Sequence, residues 1–353
     1  MSAQYSVTPP PVVQELQAIF DALPDDELLA QLKGDSSKLG RPKYPPDILW
    51  RCYVTYYSLG LDSISALLRL LQDNPFIAGV CGIPDAGSMP SQPTMSRFVA
   101  KLAHRRFIVT LRNVQRALTQ ILYETLPGFG KSVAIDSTHM KGWSNANKKG
   151  KPRQGSVQRQ RPKIGKVSDP DAGWCVKQNT HGKNESTFGY KTHLLVDAMY
   201  ELPIAVDVTA GNVHDVNMAA PLLRQARFAH TFTPDFVLCD AGYSSEKLQR
   251  VIQRQYKATP IIDPNPTHKK AIIRKEAIPD WKKLYADRAS VERVNARMKG
   301  HFKLDAVRVR SRKKVRSHAF MSAIALLGRA VAFPDRPRHC VRSVAGSEAN
   351  HFE

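Results

Sequence analysis

Acid is what this sequence is short of: 31 Asp and Glu stand against 52 Lys and Arg, a formal charge of +21 that solubility alone does not require. The imbalance favours a polyanionic partner, with nucleic acid ahead of a membrane surface. Cysteine is scarce too. Cys52, Cys81, Cys175, Cys239 and Cys340 form no Cys-x-x-Cys pair and have no histidine at zinc-finger spacing, which argues against structural zinc and for reduced thiols packed mostly as small apolar groups. No apolar run reaches the ~20 residues that span a bilayer. The longest, 319–333, is interrupted by Arg329 and predicts a buried C-terminal helix. The opening Met-Ser-Ala-Gln-Tyr-Ser lacks the basic and apolar regions of a secretory signal, so a cytoplasmic protein is expected. No internal repeat is evident.

What is present suffices for a sizeable core, since 42% of the 353 residues are hydrophobic, and the pattern divides into two domains. From 12 to about 126 the period is helical: Leu16, Ile19, Phe20 and Leu23 recur at three-to-four spacing, and Leu28, Leu29 and Leu32 repeat it. Pro42, Pro45 and Pro46 precede a helix over 47–59 that Gly60 closes, and 63–71 forms another. A further helix opens at Ser91-Gln92-Pro93-Thr94, with Ser91 or Thr94 as its cap. The layout resembles a helix-turn-helix, in which Thr94, Ser96, Arg97 and Lys101 would face DNA while Met95, Phe98 and Leu102 pack inward. An ordinary helical bundle is the alternative.

At Lys131 the character changes. Residues 132–136 read as a short apolar strand ending in Asp136, followed by strands at 190–197, 203–208, 236–240 and 259–263, with helices over 213–228 and 245–256. The fold class is therefore α/β, a mixed sheet preceded by an all-α domain. Asp136 and Asp240 both fall where a strand ends, the place where open α/β sheets carry functional groups. Residues 140–189, rich in Lys, Arg, Gly, Asn and Gln, read as one mobile basic loop, either a DNA-gripping arm or a solvated insertion. The expected boundaries are 1–130 for the helical domain, 131–335 for the sheet domain and 336–353 for a flexible tail.

The sharpest pattern lies in 281–299, read as one helix. At about 100° per residue Tyr285, Arg288, Glu292 and Lys299 share a narrow stripe beside an apolar stripe of Leu284, Val291, Val294 and Met298. The plain alternative is an exposed helix with an Arg288/Glu292 ion pair worth only ~0.3–0.5 kcal/mol. Its coincidence with two strand-end aspartates favours a functional site.

Tyr285-x2-Arg288-x3-Glu292-x6-Lys299 resembles the Tyr-Arg-Glu-Lys signature of bacterial insertion-sequence DDE transposases. Asp240-Ala241-Gly242-Tyr243 is similar to their second-aspartate block, Ala134-Ile135-Asp136-Ser137-Thr138 to their first, and 190–197 and 209–215 to segments around their central strands. The likeness runs from about 131 to 333; the helical half is a weaker match to the domain that precedes the catalytic core in one branch.

The resemblance implies an RNase H-like core with Asp136, Asp240 and Glu292 as catalytic and metal-binding acids, and no large β insertion in the fifty or so residues between Asp240 and Glu292. Three carboxylates within ~4 Å would repel by ~4 kcal/mol per pair at an effective dielectric near 20, which favours bound cations. Hard oxygen ligands select Mg²⁺ or Mn²⁺, and two such ions suit in-line phosphodiester displacement. The resemblance assigns Tyr285, Arg288 and Lys299 to the transposon-end backbone. It further implies double-stranded DNA ends and target as partners, a homodimeric synaptic complex, a nucleoid-associated place in the cell, and neither membrane nor small-molecule cofactor. A catalytically silent DNA-binding regulator and a host nuclease without strand transfer are the rival expectations. His214 and Asp215 read as a helix cap in preference to a third metal ligand, and His139 and His193 as structural.

Overall fold

The structure, a computed structural model, describes residues 9–35, 44–144, 168–178, 184–227, 232–264, 278–305 and 307–336. Its first part is helical: α1 (Pro11–Ala22), α2 (Asp26–Gly34), α3 (Pro46–Ser58), α4 (Ile64–Asp73), α5 (Pro75–Val80), α6 (Gln92–Leu102) and α7 (Arg105–Thr125). The starts follow the expected local chemistry. Proline occupies the first turn of α1 and α3, where its missing N–H costs nothing. The Ser63 hydroxyl accepts from Ala66 N (3.1 Å), and Ser91 accepts from Thr94 N (3.3 Å), so Ser91 is the cap of α6. Gly60 leaves α3 at φ +61, and a Cβ there would stand 2.5 Å from His301 O, so glycine alone fits this turn.

On α6, Met95, Phe98 and Leu102 are buried while Ser96 and Arg97 are exposed, the inward and outward split the spacing predicts. Lys101 has a packing role: it pairs with Asp35 (3.0 Å) and donates to Leu32 O (3.3 Å), tying α6 to the end of α2.

The second part is a six-stranded mixed sheet of β1 (Ser132–Lys141), β2 (Gly173–Gln178), β3 (Asn184–Asp197), β4 (Leu202–Ala210), β5 (Phe236–Cys239) and β6 (Thr259–Ile262). The order is β2-β3-β1-β5-β6, with β4 also paired to β3. β3 runs antiparallel to β1, β2 and β4, whereas β1, β5 and β6 are parallel. Parallel neighbours need crossovers. The helices α8 (Val216–Arg227) and α9 (Glu246–Tyr256) lie between β4, β5 and β6 in the chain, and α10 (Trp281–Ala286), α11 (Ala289–Gly300) and α12 (Arg312–Ala332) follow. This is the RNase H-like arrangement that the resemblance implies.

Three local expectations need correction. β1 does not end at Asp136; it continues to Lys141, because β3 runs alongside it from Asp136↔Leu194 to Lys141↔Gly189. Residues 140–189 are not one loop, since 173–178 and 184–189 pair as antiparallel strands; 145–167 and 179–183 lie outside the described residues. The helix over 281–299 is two helices. Asp287 and Arg288 join them through tightened turns in which Arg288 N and Val291 N bond three residues back (3.1 and 3.2 Å).

α12 is longer than expected and buried on all sides from Ser317 to Ala330, as a helix without a polar face must be. It packs against α1, α3 and α7 on one side and β4 on the other, so both parts share one hydrophobic core. Its buried Arg329 is neutralised by Glu15 (3.1 Å). Cys52, Cys81 and Cys239 are buried free thiols, as expected; Cys340 and residues 337–353 of the tail lie outside the described residues. Among the described residues no helix is long and apolar enough to cross a membrane.

Candidate active site

The parallel ladder between β1 and β5 ends at Ile135 opposite Cys239. The next residues are Asp136 and Asp240, and because adjacent strands lie ~4.8 Å apart the two acids leave neighbouring backbones at the end of this ladder, in the middle of the sheet. Asp240 is fixed there by its Oδ1, which accepts from Gly242 N (2.9 Å) at the head of a short 3₁₀ turn. Burial, then the nearby Asp240, then Asp215 push the Asp136 carboxyl up to about 6, against a backbone hydrogen bond at Ser137 and the attraction of Arg288.

Glu292 lies in the first turn of α11 with its side chain 55% exposed, and accepts from Arg288 Nη2 at 2.8 Å. The same guanidinium stands 5.6 Å from the Tyr285 ring centroid and within electrostatic reach of Asp136. Trp281 stacks on Tyr285, centroids 4.6 Å apart and the ring planes nearly parallel. A ladder of Trp281, Tyr285, Arg288 and Glu292 thus runs along α10 and α11 past the aspartates.

The structure therefore brings Asp136, Asp240, Arg288 and Tyr285 together, while Glu292 is engaged by Arg288. Among the described residues no three His, Cys, Asp or Glu side chains are grouped so as to hold one metal ion. The Arg288/Glu292 ion pair, the plain alternative from the sequence, is present, and it coexists with the aspartate pair. Lys299 sits in the last turn of α11, about 10 Å along the axis from Glu292. Arg97 and Lys101 belong to α6 and stand outside this group; Arg97 donates to Thr94 Oγ1 (3.3 Å).

Asp215 directly precedes α8, where its carbonyl accepts from Met218 N (2.9 Å), and its carboxylate accepts from Lys191 Nζ (2.9 Å), which also donates to Val213 O (3.0 Å). This pins the start of α8 to β3 and brings a third carboxylate within electrostatic range of Asp136. The sequence carries no local mark of this pair, since Lys191 stands beside Thr192 and His193 in a strand of mixed polarity. His193 is structural, with Nε2 2.8 Å from Thr209 Oγ1, and burial pulls its pKa down to about 4, so it is neutral at pH 7. His139 lies with Nε2 3.3 Å from Cys175 Sγ.

Two adjacent carboxylates with excess negative charge offer hard oxygen donors, which fit Mg²⁺ or Mn²⁺ and not a soft or nitrogen-preferring ion. Residues 127–327 match the family described as Transposase DDE domain, and residues 7–101 match Transposase domain (DUF772). No curated protein matches the chain. The first match takes in Asp136, Asp240, Tyr285, Arg288, Glu292 and Lys299 and spans more than half the sequence, so the chain belongs to the DDE transposase domain family.

Proposed function

We propose that the protein binds the terminal inverted repeats of a mobile element, cleaves the element's ends and joins them to target DNA, working as a homodimer that pairs two ends. The observation that carries this reading is the Asp136–Asp240 pair at the end of the parallel ladder, with Arg288 beside it. Asp136 and Asp240 would hold Mg²⁺ or Mn²⁺, two ions in all, which supply an activated nucleophile and stabilise the leaving oxygen in phosphodiester displacement.

The chain's own residues supply the rest. Tyr285, Arg288 and Lys299 bind the backbone beside the cut, Arg288 through the planar fork that matches a phosphate. A phosphate that takes Arg288 away from Glu292 leaves that carboxylate to complete the triad, so substrate arrival and assembly of the acidic site are coupled. Exposed Arg97 on α6 contacts the repeat; Lys101, held by Asp35, contributes charge and not a contact. A regulator without catalysis is disfavoured, because two unpaired acids at the site would repel the DNA it binds.

The test is purified protein with Mg²⁺ and a duplex carrying the genomic flanks of the coding region. Wild type nicks the ends and joins them to a target plasmid, and Asp136→Ala and Asp240→Ala do neither. No cutting by wild type overturns the reading; cutting without joining leaves a nuclease. Removing lysines within 140–189 flattens the fall of affinity with salt if that segment grips phosphates, and leaves the slope unchanged if it does not.

A further inference from the structure

Beyond Asp136, β1 continues to Lys141 and delivers Trp143 to the surface with 53% of its area exposed. Facing it across a cleft of about 580 Å³ are Asp305, Val307, Arg308 and Arg310 from the connection between α11 and α12. Lys141, Arg308 and Arg310 are exposed, so three cations and one acid surround a large open indole.

The cleft is held in shape from beneath. Arg310 Nε donates to Trp143 O (2.9 Å), which ties the two walls together. Asp169, 1% exposed, accepts from Ser311 N (3.2 Å) and from the Tyr190 hydroxyl (2.8 Å), and Asp171 accepts from Arg312 N (2.9 Å). Two carboxylates thus fix the start of α12 against the sheet, and the arginines before it are presented on a rigid base. A second exposed indole, Trp174, leans on Phe188 in the adjacent strand pair, with centroids 5.4 Å apart.

Scattered exposed apolar side chains are ordinary, but an indole ringed by cations matches the stacking platform and phosphate tracks of single-strand binding sites. We infer that this cleft seats one unstacked nucleotide of the bound DNA, its base on Trp143 and its flanking phosphates on Lys141, Arg308 and Arg310. Paired bases inside a duplex cannot offer a face to the indole, so the seat selects DNA that is locally opened. Lys141 lies five residue steps along β1 from Asp136, ~17 Å at strand rise. That equals about five base steps at 3.4 Å per step, so the opened nucleotide lies several steps from the cut bond and not at it.

The inference rests on the transposase reading, and the experiment separates the two. A paired duplex of about 30 base pairs and the same duplex with one unpaired thymine are titrated against wild type, Trp143→Ala and Trp143→Phe. Wild type prefers the bulged duplex by ~10-fold, Trp143→Ala loses the preference with its affinity for the paired duplex within about twofold of wild type, and Trp143→Phe keeps most of it. Arg308→Ala with Arg310→Ala lowers the salt slope on the bulged duplex by about two. Equal binding of the two duplexes by wild type, or an unchanged preference in Trp143→Ala, overturns the cleft assignment and leaves the transposase reading standing. Failure of wild type to bind either duplex overturns both.

Discussion

α11 serves two carboxylate sites in opposite ways. In its middle and second half Arg293 and Arg297 close on Glu201, whose side chain is 8% exposed, at 2.7 and 2.8 Å, and Arg297 adds a bond to Glu201 O (3.2 Å). One buried acid has two cations, and the turn between β3 and β4 is locked to the helix. At the other end two aspartates share one cation, Arg288, which hydrogen-bonds to Glu292 instead. The contrast teaches where folding satisfies charge and where it leaves charge waiting. A fully paired acid stabilises structure, whereas an acid pair left in deficit holds a standing attraction for an added cation.

The largest expected effect breaks the deficient site. Asp240→Asn leaves the Gly242 turn its acceptor but removes a charge, and end cleavage falls by at least ~10³-fold in a gel assay while the unfolding midpoint holds or rises. Glu201→Ala breaks the satisfied site instead: Arg293 and the nearly buried Arg297 lose the carboxylate between them, and stability falls by about 2–3 kcal/mol in urea titration. Equal loss of stability in both variants would erase the distinction.

A smaller effect is read from pH. The Asp136 carboxyl is held up at about 6, and an unfolded aspartate titrates near 3.9. Between those values the folded state binds the extra proton, so metal-free protein loses stability as pH rises from about 4 to 6, with the full cost, at most ~2–3 kcal/mol, present above 6. Asp136→Asn lacks this fall. Parallel pH profiles for the two proteins in chelator would mean that folding does not raise the proton affinity of Asp136. Smallest is Arg288→Lys, which keeps the charge but loses the fork; affinity for an end-bearing duplex falls by ~3- to 10-fold with little change in thermal midpoint.

The aspartate pair was legible because local chemistry marks it: an apolar run followed by an acid occurs at Val133-Ala134-Ile135-Asp136 and at Val237-Leu238-Cys239-Asp240. The capped start of α6 and its inward face were legible for the same reason. What escaped depends on distant chain. Ser137-Thr138-His139-Met140-Lys141 has no apolar alternation of its own and becomes strand because β3 lies beside it. Lys191 and Asp215 are 24 positions apart, and nothing local joins them. The break at Asp287 and Arg288 preserves the stripe well enough that periodicity alone does not register it, although both residues keep helical dihedral angles.

Asp136 and Asp240 as the cation seat, with Arg288 engaging Glu292, are probed together by calorimetric titration of Mn²⁺ into DNA-free protein. Mn²⁺ binding is lost in Asp136→Asn and Asp240→Asn and retained within about threefold in Glu292→Gln. Binding that survives loss of either aspartate, or that vanishes with Glu292 alone, would place the cation elsewhere.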